Sequence, residues 1–186
     1  MVEAPMHQRA TNTIQEHMDR HFGPALSIEC CDEMFEVVRR HGPPGPEVAT
    51  WTTRGMSRHE FRQKDGTRVC FEVVVASYAR FACHELPASL SLIGATLVAV
   101  GAGPRQHEIL TLPFEIPGST MRCALVYPPT MWDDDAGEVV GTDVPTFIAW
   151  IIPLSEAERV LVATRGVSAL ESFWEDEQVD VLDLGR

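Results

Sequence analysis

The residues that could do chemistry are few, and their spacing argues against most reactions. Gly55-Met56-Ser57-Arg58-His59 comes nearest to a catalytic motif. A nucleophile elbow, G-x-S-x-G, needs its second glycine so that the chain can turn sharply from strand into helix. Here His59 stands in that place and a charged turn follows, which disfavours a serine hydrolase. His17 and His21 are four apart, with His7 upstream on the same predicted helix. That spacing can hold a metal, but the glutamate of H-E-x-x-H is missing. Cys83-His84, with Glu85, could be imagined as ligands. Adjacent helical residues point about 100° apart, however, and no second Cys/His pair at zinc spacing supports them. Gly101-Ala-Gly-Pro-Arg105 follows a predicted helix, whereas a phosphate loop follows a strand and opens a helix. Asp133, Asp134 and Asp135 are contiguous and lack the alternate-residue pattern of a calcium loop. The expectation is therefore no catalytic residue, no cofactor and no metal.

Charge points instead to binding. The net charge is −12, and Thr130 to Asp183 carries 13 acids against two arginines, a net −11. Such a balance disfavours phosphate-backbone contacts, so no nucleic acid partner is expected. A basic protein would be attracted and steered in. Trp132 beside the three aspartates reads as an aromatic anchor in a polar loop. Trp132, Asp133, Asp134 and Asp135 are thus a candidate contact loop, and Glu175, Asp176 and Glu177 a second acidic patch. No apolar stretch reaches the ~20 residues of a membrane span, and the polar start has no signal-peptide core, so no membrane association is expected. The five cysteines are odd in number and lack C-x-x-C spacing. They read as reduced thiols in a cytoplasmic protein.

The elements that must carry these residues follow from periodicity. Ile14, Met18 and Phe22 make a helical stripe ended by Gly23-Pro24. Ala25–Cys31 and Met34–Arg40 read as strands around a tight turn at Asp32-Glu33. Val48 to Thr53 and Val69 to Val75 are apolar, β-branched runs flanking a polar connector with Asp65-Gly66. The second run, with Glu72 its only charge, reads as a central strand buried on both faces. Tyr78–Glu85 reads as a short helix, and Pro87 as the first residue of another. Ile109 to Ile116 reads as extended, Met121–Tyr127 and Phe147–Ile152 as strands, and 130–142 as an acidic loop. Ser155-x-x-Glu158 and Ser168-x-x-Glu171 have capping-box form, with Gly166 between them. Leu170, Phe173 and Trp174 should anchor the last helix. The pattern predicts an α/β (α+β) sandwich. Its central mixed, mainly antiparallel sheet is flanked by helices, all within one domain spanning 1–186. Trp51, Phe71, Val73, Val75, Leu97, Leu125, Phe147, Trp150 and Ile152 should be its core. Gly55 should turn a structural corner, with Ser57 bonded to nearby backbone.

Three blocks together resemble the Suppressor of fused domain family, in its short bacterial form. Thr50 to Ser57, with Thr53, Gly55 and Met56, resembles a strand ending in T-x-G-M-S. Arg68 to Ser77 resembles the strand that follows it. Trp150 to Ser155 with Pro153, then Glu158, then Asp183 and Arg186, resembles the family's C-terminal run. The likeness is strongest over 25–186. It implies an α/β sandwich, a protein-binding role and no catalytic activity. Eukaryotic members regulate Hedgehog signalling by binding a transcription factor. Bacterial members are thought to include immunity proteins against polymorphic toxins. A scaffold or regulatory interaction module and an uncharacterised enzyme are the alternatives.

Overall fold

A computed structural model describes residues 6–31, 33–63 and 65–186, with side chains from Ala10 onward. The predicted turn at Asp32 and the side chain of His7 lie outside the described residues. The chain opens with helix α1 (Met6–Phe22), then strands β1 (Ala25–Cys31), β2 (Glu36–Arg40) and β3 (Val48–Arg54). A 3₁₀ turn at Met56–Arg58 leads to β4 (Phe61–Arg62) and the long β5 (Arg68–Tyr78). Helix α2 (Glu85–Val100), β6 (Ile109–Thr111), β7 (Cys123–Tyr127), β8 (Glu138–Val139) and β9 (Thr146–Leu154) follow, then α3 (Glu156–Arg165) and α4 (Val167–Asp176).

The strands form one sheet in the order β1-β2-β3-β5-β9-β7-β6, with β4 added to β5 and β8 to β9. Only β5 and β9 run parallel; the other pairings are antiparallel. A parallel neighbour requires a long crossover, and α2, β6, β7 and β8 supply it. Residues 69–77 of β5 are all buried, as expected for a strand covered on both faces. On one face Val73, Val75, Ala149 and Ile151 pack under Leu86, Leu90 and Ile93 of α2. On the other Val74, Ile148, Trp150 and Ile152 pack with Met18 and Phe22 of α1 and Leu170 of α4. The predicted core is buried except for Leu97 and Phe147, which are half-buried because each lines a surface cavity.

Four local expectations are corrected. No α-helix forms at Tyr78–Glu85, only a 3₁₀ turn at Ala79–Phe81. The Tyr78 and Ala79 amides bond the carbonyls of Leu182 and Glu47. Pro87 is not the first helical residue, because α2 starts at Glu85. Pro87 still sits in the first turn, where a missing N–H leaves no bond unmade. Ser168 does not cap α4, which starts at Val167 directly after Gly166. Gly166 ends α3 and begins α4, which puts Ser168 inside the first turn. Leu170 is fully buried in that helix, but Phe173 is 40% exposed.

Candidate functional site

The T-R-G-M-S segment is built around a carboxylate. β3 ends at Arg54, and Gly55 takes φ +98, a conformation that a side chain would strain. The turn aims its donors at Glu72 on the adjoining β5. Gly55 N–H, Ser57 N–H and Ser57 Oγ donate to Oε1 at 2.9, 3.1 and 2.6 Å, and Thr53 Oγ1 donates to Oε2. Thr53 Oγ1 also accepts the Val73 amide. Glu72 is 1% exposed, so these bonds replace the water it lost on folding. The segment is a corner, as expected, but Ser57 bonds this carboxylate rather than local backbone. Among the described residues no imidazole bonds Ser57, and His59 is turned to the Met34 carbonyl at 3.3 Å.

The other signature residues meet in a clasp. Ser155 caps α3, and Glu158 returns to the Ser155 amide at 2.7 Å, completing the predicted capping box. Glu158 also accepts from the Trp174 indole at 2.8 Å and from Arg186 Nε at 3.0 Å. Arg186 spends its remaining donors on the carbonyls of Pro153, Val181 and Asp183. Asp183 pairs with Arg80 at 2.8 Å. Burial pushes the Glu158 carboxyl upward, but Arg186 and the donors of Ser155 and Trp174 outweigh it and hold it below the ordinary glutamate value. Pro153 offers no N–H, and by that point β9 has left β5, whose pairing ends at Val74 with Trp150.

The acidic loop is docked, not free. The Trp132 ring lies 4.9 Å from Phe22 and 5.4 Å from Trp150, and its N–H donates to the Pro43 carbonyl at 3.0 Å. Its aromatic surface serves the chain's own packing. His17 Nε2 bonds the Ala136 carbonyl at 3.0 Å, and burial lowers its pKa, so it is neutral at pH 7. His21 Nδ1 meets Asp133 at 2.9 Å and Asp135 at 3.8 Å. These three ligand atoms lie within 4.8 Å of one another, a grouping that sequence spacing does not reveal. A metal-bound imidazole holds its other nitrogen on a carbonyl or carboxylate. The buried Nε2 of His21 has no such partner among the described residues. Asp134 points to solvent, as do Glu175, Asp176 and Glu177 around the end of α4. Elsewhere the thiols are structural: no cysteine is in a disulfide, and burial pushes Cys70 up to about 11.

A groove of about 270 Å³ lies between the foot of the acidic loop and α4. Thr130 and Met131 at the foot of the loop form one side, and Glu171, Trp174 and Glu175 of α4 the other. Tyr127 and Trp150 lie between them. Tyr127 donates to Glu171 at 2.6 Å, and burial together with that carboxylate raises its hydroxyl pKa to about 12. The groove combines aromatic surface with two carboxylates, which suits a cationic side chain.

The family model described as Suppressor of fused protein (SUFU) matches residues 32–186. The chain belongs to the Suppressor of fused family. Solved structures agree on the fold. A Neisseria gonorrhoeae protein solved as a SUFU homologue superposes with a TM-score of 0.70 at 16% identity, covering 97% of this chain and 94% of that one. The Sufu-Fu complex structure gives 0.66 at 13% identity, covering 94% and 86%. Drosophila Suppressor of Fused gives 0.61 at 14% identity. This chain spans about half of that protein, covering 48% of it. No curated protein sequence matches. Among the described residues, no helix is long and apolar enough to cross a membrane.

Proposed function

We propose that this Suppressor of fused domain is a non-catalytic protein-binding module of the cytoplasm. It would act as an immunity protein, neutralising a basic toxin that docks at the groove between the acidic loop and α4. The observation that carries this reading is the groove itself. Glu171 and Glu175 flank the ring surfaces of Tyr127, Trp150 and Trp174, and Asp134 is exposed on the loop whose foot, Thr130 and Met131, lines the groove. An arginine or lysine of the partner would lie over an aromatic face and reach a carboxylate. Asp133 to Asp135 and Glu175 to Glu177 would mainly speed association, while the groove would slow dissociation. Solution of a family member as the Sufu-Fu complex supports a protein-binding role, as does the excess of acids in the last third of the chain.

The test is capture from the native host at low and high salt, followed by association and dissociation rates for the captured protein. Replacing Asp133, Asp134 and Asp135 by Asn should slow association and weaken its salt dependence. Glu171→Gln with Glu175→Gln should speed dissociation. Trp132→Ala is the wrong probe, because that half-buried ring packs against Phe22 and Trp150 and its loss would disturb the loop itself. A partner that binds all variants equally well, without salt dependence, would reject both the site and its electrostatics.

A further inference from the structure

A cavity of about 620 Å³ lies on the α2 side of the sheet. Its volume is in the range of small-molecule sites, which are mostly apolar with a few placed polar groups. Phe71, Val126, Phe147 and Ala149 supply the apolar surface. Rings of Phe71 and Phe147 stand 5.9 Å apart. The loop after α2 lies directly on Phe71: a Cβ at Gly103 would fall 2.3 Å from that ring, so only glycine lets the wall close there. β7 and β8 both pair with β9, and the cavity sits where the chain passes from one to the other through Pro128 and Pro129.

The polar lining is confined to two short segments, Arg62-Gln63 and Arg105-Gln106. Seven described arginines are committed to carboxylates of the chain. Arg62 and Arg105 have no ion-pair partner among the described residues. On a chain of net charge −12, these two guanidiniums border this apolar cavity. Guanidinium recognises a planar carboxylate through paired N–H donors.

We infer that this cavity binds a small amphiphilic anion. Its apolar body would lie against Phe71, Phe147 and Ala149, and its carboxylate would meet Arg62 and Arg105. The inference is independent of the protein-binding groove, which lies across the sheet and carries the opposite charge.

The probe is 8-anilinonaphthalene-1-sulfonate, displaced by decanoate or by decanol. The intact protein should bind the dye saturably at one site. Decanoate should displace it at least about tenfold better than decanol, the value of one charge-assisted pairing. In Arg62→Ala with Arg105→Ala, both exposed positions, that preference should vanish while the Tm holds. Arg165→Ala should leave it intact. Ala149→Phe should fill the cavity and abolish binding of all three. Should that variant fail to fold, the arginine variants decide alone. Non-saturable dye binding, equal competition by acid and alcohol, an undiminished preference in the double variant, or binding to folded Ala149→Phe would each overturn the site.

Discussion

Two buried glutamates hold this molecule together in different ways. Glu72, at the centre of the sheet, is satisfied by a turn: two backbone amides and two hydroxyls, all from Thr53 to Ser57. Glu158, at the start of α3, is satisfied by distant groups: its own cap, the Trp174 indole and the Arg186 guanidinium. The first arrangement fixes the local path of the chain. The second fastens separate segments to one another, since Arg186 also reaches Pro153 and Val181. In both places residues that read as a motif serve the scaffold. That leaves recognition to cavities bordered by other side chains.

The largest expected effect comes from emptying the corner. Glu72→Ala would leave two buried and two part-buried donors without that acceptor and should cost about 3–5 kcal/mol in urea unfolding. A loss under about 1 kcal/mol would mean that the corner holds itself. The clasp should give way less, because Arg186 retains three carbonyl partners. Glu158→Ala should cost about 2–4 kcal/mol, and a double-mutant cycle with Arg186→Ala should show coupling of about 1–3 kcal/mol. Additive losses would dissolve the distinction between the two sites.

Acid sharpens the contrast further. The Glu158 carboxyl is held below its ordinary value of 4.5. Its stabilisation is therefore present above that pH and is lost as the pH falls through the lowered folded value. His17 acts at higher pH. Burial lowers it from 6.5, so the unfolded chain takes up the proton first and stability declines as the pH falls below about 6.5. Unfolding free energy measured from pH 7 to 3 should show both declines. Glu158→Gln should flatten only the lower one, and His17→Gln only the upper. The smallest effect belongs to Ser57→Ala, which removes one of four donors and should cost about 1 kcal/mol. Any hydrolase activity abolished by that change in a folded protein would overturn the structural role of the corner.

Much of the fold is legible in residue patterns. The apolar run Val69 to Val75 announced β5, and Ser155-x-x-Glu158 announced the start of α3 correctly. Ser168-x-x-Glu171 misled because a capping pattern does not encode how closely the preceding helix ends. Glu72 was itself a signal that sequence reading passed over. A carboxylate in a run buried on both faces must have donors, and Thr53 to Ser57, at the end of the neighbouring strand, supplies them. The docking of Asp133 and Ala136 onto His21 and His17 left no such trace. Those partners are 112 and 119 residues apart, and no period links them. The groove and the arginine-bordered cavity were illegible for the same reason, since each is assembled from several strands and loops.

The parallel pairing of β5 with β9 also governs the order in which the molecule can assemble. β1, β2, β3 and β5 can zip as neighbouring antiparallel strands, with only short loops to close. The central seam must wait until the whole crossover through α2 and β7 has been made and brought back. Until then one side of β5, whose residues 69–77 are all buried in the finished fold, is an unpaired edge exposed to other chains. Loop closure of that length slows folding, and a long apolar edge invites aggregation while it lasts. Folding of this domain should therefore be limited by arrival of β9. Variants that weaken β9 should then first appear as loss of soluble yield rather than as lowered stability of the folded fraction.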